Sequence, residues 1–99
     1  MRIILATCLA LLAAPLAAES AKQEDCRYQA QVARAVQQAR MQGVSERNLP
    51  DAIARTNPGW PERYNNAIPI FAAEMYRRKK NELRDVDIGA QWLEMCLSQ

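Results

Sequence analysis

The chain has 99 residues, with 13 Lys and Arg against 11 Asp and Glu and a formal charge of +2. So small a surplus gives no global field toward nucleic acid or acidic surfaces. Histidine is absent, which removes the commonest general base and the Ser-His and Cys-His nucleophile pairs, and so points away from an enzyme.

At the N-terminus a positive residue, Arg2, precedes an apolar run over 3–16 and the small residues Ala17 and Ala18. That order is the layout of a secretory signal peptide. The run is shorter than the about 20 apolar residues of a membrane span, and the polar stretch over 19–25 follows it directly. The expectation is a cleaved signal over 1–18 and a single small domain over 19–99, periplasmic or secreted. Cleavage after Ser20 is the alternative to cleavage after Ala18. The stretch Leu5-Ala6-Thr7-Cys8 has a faint likeness to a lipobox, but Thr7 is larger than the residue usual there and the segment before Cys8 is too short for export.

A domain of about 80 residues lies near the size at which one core supplies only a few kcal/mol, so a covalent staple has value. Export places Cys26 and Cys96 in an oxidising compartment, where they are expected to be bonded to each other. Such a bond closes a loop of about 70 residues, for which the chain-entropy model gives on the order of 4 kcal/mol.

Over 26–42 the spacing predicts an amphipathic helix. Tyr28, Val32, Val36 and Ala39 share one face, Arg27, Gln31, Arg34 and Gln38 another. Asp25 or Glu24 marks its start and Gly43 its end. Ser45 opens a shorter second helix in which Leu49, Ala52 and Ile53 face inward, with Pro50 tolerated in the first turn, and which ends by Thr56. Asn57-Pro58-Gly59-Trp60-Pro61 is the strongest turn signal in the chain, with Pro61 suited to start a third helix. The helical pattern then runs over 61–83, with a kink or break expected at Pro69. Phe71, Ala72, Met75 and Tyr76 form an apolar stripe ahead of the basic run Arg77-Arg78-Lys79-Lys80. A last helix opens near Asp85 or Asp87 and carries Ile88, Trp92, Met95 and Cys96 at helical steps, slightly weakened by Gly89. The fold class is all-α, four or five short helices in a small bundle whose first and last helices are joined by one disulfide.

Few chemistries fit these residues. Two distant cysteines without histidine do not make a tetrahedral metal site, and no Cys-x-x-Cys is present for redox catalysis. The isolated glycines form no phosphate-cradling loop. No metal, cofactor or catalytic residue is expected. The basic run Arg77, Arg78, Lys79 and Lys80 reads either as a solvated helical turn partnered by Glu74 and Glu82 or as a docking patch for an acidic protein surface. Weak contact with an anionic membrane surface is the lesser functional reading of the run. Trp60, with Tyr64 four residues on and Arg63 beside it, reads either as an indole locking the corner or as a rigid binding anchor, since Trp and Arg are frequent hot-spot residues. Trp60, Arg63, Arg77, Arg78, Lys79 and Lys80 are therefore the candidate partner-binding residues.

The early Cys26 opening a helix, the Gly43-Val44 pair, the Pro-rich middle and the terminal Trp92-Leu93-x-x-Cys96-Leu97 resemble the uncharacterised small exported two-cysteine helical proteins of proteobacteria. That resemblance covers most of the mature chain and brings no activity and no functional residues. In architecture alone the chain is similar to periplasmic acid-stress chaperones, which are also small, helical and stapled by one disulfide. The functional expectation is an exported, non-enzymatic protein-binding or accessory subunit, with a periplasmic stress chaperone for unfolded clients as the alternative.

Overall fold

The computed structural model describes residues 19–99, and the expected signal segment over 1–18 lies outside them. The described residues are all-helical: α1 (Ala21–Met41), α2 (Leu49–Ala54), α3 (Ile68–Met75), α4 (Lys80–Leu83) and α5 (Ile88–Leu97). Two 3-10 segments, Glu46–Asn48 and Glu62–Ala67, lead into α2 and α3.

Helix α1 is the element on which α2, α3, α4 and α5 all pack. It starts earlier than Glu24 or Asp25, because Ser20 is its N-cap. The Ser20 hydroxyl accepts from the Gln23 amide while the Gln23 side chain accepts from the Ser20 amide, a capping box that satisfies two otherwise orphaned donors. Its far end is as the sequence predicts: Gly43 takes φ 84, the amide of Gly43 bonds the Arg40 carbonyl and that of Val44 the Ala39 carbonyl. This is the left-handed Schellman termination for which glycine is suited. Between the caps, Val32, Ala33 and Val36 are fully excluded from solvent, and with Leu49, Ile53, Phe71, Met75 and Leu83 they make one continuous core.

The helical stretch over 61–83 is divided into a 3-10 segment, α3 and α4. The break expected at Pro69 is present: the 3-10 segment ends at Ala67, and Pro69 sits in the first turn of α3, where its missing N–H breaks no bond. A second break, after Met75, corrects the expected pattern. Helix α3 stops at Met75, so the basic run begins in a turn, with Lys79 as the N-cap of α4. Three tertiary contacts hold the turn that follows. The Tyr76 hydroxyl donates to the Val44 carbonyl at 2.7 Å, the Arg40 guanidinium lies over the Tyr76 ring at 5.0 Å, and Arg40 Nη2 donates to the Arg78 carbonyl at 3.1 Å.

Gly89 has a role beyond the slight weakening of the last helix that the sequence predicts. It is buried, and a Cβ there would meet the Ala30 carbonyl oxygen at 2.8 Å. Its lack of a side chain lets α5 approach α1 closely, a packing role that outweighs its poor helix propensity.

Candidate functional site

Helix α5 is attached to α1 along its length by different means. At its start, Asp87 caps it by accepting from the Ala90 amide at 2.9 Å, and Gln37 of α1 holds the approach. Gln37 Nε2 donates to the carbonyls of Leu83 and Val86 at 2.8 and 2.6 Å, and its Oε1 accepts from the Ile88 amide at 3.0 Å. Midway, Trp92 Nε1 donates to Gln29 Oε1 at 3.0 Å. At its end the Cys26–Cys96 disulfide closes the pair, with the two Cα atoms 5.7 Å apart. The sequence expectation of a staple between the first and last helices is what the structure has.

Because α3 and α5 both lean on α1, a groove remains between them. Its volume is about 460 Å³. The Phe71 and Trp92 rings meet across it at near right angles, 88°, with their centroids 5.0 Å apart. Phe71 and Met75 are buried in the floor, whereas Ile70 and Met95 stand at the lips with 69 % and 49 % of their surface exposed. A second hollow of about 360 Å³ continues along α5 past the disulfide and shares Trp92 and Met95 with the first. The two hollows, on either side of the shared Trp92 and Met95, form a trough along α5, apolar at the α3 end and bordered by Lys22, Asp25 and Gln99 at the other; α5 at ten residues is about 15 Å long. Exposed large apolar residues grouped in a concave site mark binding surfaces more often than singly scattered ones do.

The basic run meets this trough at one end. Arg78 lines it beside Glu74, and Glu74 accepts from Arg77 Nη2 at 2.8 Å and from Arg78 Nη2 at 3.1 Å. The hydrogen bonds from Arg77 and then Arg78 hold the Glu74 carboxyl below the usual carboxylate range. Lys79 and Lys80 form no ion pair among the described residues, and Lys80 Nζ lies toward Gly43 at the end of α1. Glu82, expected as a second partner of the run, makes no ion pair with it among the described residues.

Trp60 is half-buried against the core. Its Nε1 donates to Asn65 Oδ1 at 2.8 Å, and its ring lines a separate concavity with Pro50, Pro58 and Pro69. Arg63 lies over the Tyr64 ring at 4.7 Å. The Tyr64 hydroxyl donates to Asp25 Oδ1 at 2.8 Å, and this bond to the carboxylate raises the phenol's pKa. Among the described residues no hydrogen bond or ion pair joins Trp60 or Arg63 to Arg77 or Arg78. Trp60, Arg63 and the Arg77–Arg78 pair thus each have their own bonding partners.

Ile70 is the lip residue that sequence reasoning missed. The signal was in the run Ile68-Pro69-Ile70-Phe71-Ala72, which is apolar on every face of α3 although α3 has one face on the core. The remaining large concavity, about 500 Å³ beside Arg34 and Gln37, is occupied with structural duties: Gln37 is committed to backbone groups, and Arg34 pairs Asp87 at 3.6 Å. Among the described residues no cluster of three or more His, Cys, Asp or Glu could hold a metal ion, and no helix is long and apolar enough to cross a membrane. What the fold and the groove define is a small, disulfide-stapled helical protein with an open apolar trough. Comparison with known proteins finds no match to this chain among family models, curated proteins or solved structures.

Proposed function

We propose that this protein is an exported, non-enzymatic helical subunit that binds another protein through the trough between α3 and α5. The observation that carries the reading is the pairing of exposed Ile70 and Met95 over the buried floor of Phe71 and Met75. A chain with so small a core gains by covering such residues, at about 25 cal/mol for each Å² of apolar surface removed from water. Export is supported by the N-terminal order of Arg2, apolar run and small residues, and by a disulfide of the kind that persists in oxidising compartments. Cleavage after Ala18 suits the fold better than cleavage after Ser20, because the latter removes the α1 cap and the Glu19 carboxylate that pairs Arg27 at 2.8 Å.

The test is affinity capture from periplasmic extract with the natural protein and with Met95→Asp as baits. One stoichiometric partner, lost with Met95→Asp while the circular dichroism of the bait is unchanged, is the expected result. A broad mixture of unfolded clients would instead favour the stress-chaperone reading. Capture that ignores the substitution, or no capture at all, overturns the assignment to this trough.

A further inference from the structure

We infer that the occupant of the trough is an acidic amphipathic helix of a partner protein, an inference that rests on the trough being a protein-binding site. Its length and shape come first. Trp92 and Met95 divide the trough into two hollows along a helix of ten residues, and a partner helix of about three turns has the same length and offers apolar side chains at i, i+4 and i+7 to fill them. A flat bilayer does not match this relief. Phe71 and Met75, 6 % and 1 % exposed, lie recessed between the lips, so a planar surface would touch Ile70 and Met95 and leave the hollows unfilled.

Charge selects the sign of the partner. At the α3 end Arg78 and Glu74 line the trough and offset each other; Arg77, beside the lining and paired to the same carboxylate, adds the surplus positive charge and unspent donors, because each guanidinium carries five N–H groups in a fixed fork. The Arg77 side chain is 77 % exposed. The turn that bears it is already held in place by the bond from Arg40 to the Arg78 carbonyl and by the Tyr76 hydroxyl on Val44, so little ordering cost remains for a carboxylate that docks there. At the other end Lys22 and Asp25 balance each other around the second hollow. A second copy of this chain, seated by a two-fold axis, would bring the cationic end against that balanced end or against itself, and neither arrangement complements it.

The experiment is selection from a displayed library of randomised helices of about three turns against protein made from the full chain, followed by affinity measurements on the enriched peptides. The expected binders carry an apolar i, i+4, i+7 stripe and net negative charge. Their affinity should fall about tenfold or more with Arg77→Glu combined with Arg78→Glu, and binding should be lost with Met95→Asp while circular dichroism stays unchanged. Enriched binders that depend on Met95 but are neutral, cationic or extended overturn the acidic-helix inference and leave the trough as a binding site. Binders indifferent to Met95 overturn both. Two parallel measurements cover the other occupants. Sedimentation with phosphatidylglycerol vesicles that requires Ile70 and Met95, or a dimer in analytical ultracentrifugation that Met95→Asp dissociates, would assign the trough to a membrane or to a second copy and overturn the inference.

Discussion

Gly89 of α5 lies so close to the Ala30 carbonyl of α1 that a methyl group at position 89 would approach the oxygen to 2.8 Å. The obstacle is backbone and cannot swing aside; the Arg34 Cβ, at 3.3 Å, closes the other side. In an open helix Gly→Ala stabilises by about 1 kcal/mol, but here Gly89→Ala should lower stability by about 1–3 kcal/mol through overpacking. Gly59 supplies the control, since a Cβ there meets nothing within 4 Å, and Gly59→Ala should be neutral or gain up to about 1 kcal/mol from the unfolded chain. Urea midpoints check the close approach of α5: that of Gly89→Ala should fall and that of Gly59→Ala should not.

Gln37 is the second attachment of α5, and a half-buried amide that bonds three backbone groups has no apolar substitute. Gln37→Leu fits the volume but leaves the Leu83 and Val86 carbonyls and the Ile88 amide without partners. The three bonds are part-buried, and the expected loss is about 2–4 kcal/mol, at about 0.5–1.5 kcal/mol net for each hydrogen bond removed. Hydrogen exchange at the Ile88 amide should accelerate more than exchange in the centre of α1; equal acceleration at both would mean that Gln37 acts only through global stability.

Reduction of Cys26–Cys96 opens a link between residues 70 apart and should cost on the order of 4 kcal/mol. The damage should be local first. The first half of α5 keeps Gln37, Gln29 and the Gly89 contact, whereas beyond Trp92 the exposed Met95 and Leu97 give little purchase. Protection of the Ser98 amide, which bonds Glu94 and Met95, should vanish under reductant at a concentration where the Ile88 amide is still protected. Loss of both together would show that the disulfide holds the whole helix rather than its end.

Acid should weaken the fold modestly. The Arg27 hydrogen bond keeps Glu19 below its ordinary value of 4.5, and Arg77 with Arg78 does the same for Glu74. A carboxylate with a depressed folded pKa contributes stability that is present above the unfolded pKa and lost as pH falls through the folded one. The thermal midpoint should therefore be flat near neutrality and decline below about pH 4.5, by a small amount because both pairs are exposed and screened by salt. Glu74→Gln should flatten part of that decline. At the alkaline end the sign reverses for Tyr64, whose folded pKa is raised above 10 chiefly by its bond to Asp25, so its contribution is lost as pH rises through that value.

Much of the frame was legible in the chain. The apolar steps from Tyr28 to Ala39, the glycine after α1, the turn from Asn57 to Pro61 and the Asp87 cap each follow from local rules, and the cysteine pairing follows from compartment and number. The capping box at Ser20 was legible too, but the polar stretch around it read as the exit from a signal segment. Over six residues, i→i+3 and i→i+4 bonding leave the same apolar pattern, which is why Glu62–Ala67 could not be told from an α-helix. The turn at Tyr76 depends on Arg40 and Val44, more than thirty residues away, and no local signal carries it. The trough was illegible for a related reason: periodicity placed Phe71 on an apolar stripe and Trp92 and Met95 at helical steps but could not say that α3 and α5 both lean on α1 and leave a gap between themselves.

The most direct measurement is site-specific photo-crosslinking in living cells from a benzophenone side chain placed at Met95, with Gln38 on the polar face of α1 as the control position. If the trough holds a partner helix, Met95 yields one discrete adduct, Gln38 yields none, and the adduct fades when Arg77 and Arg78 are both changed to Glu. Equal labelling from both positions, or an empty trough at Met95 in a fully folded and oxidised protein, would contradict it.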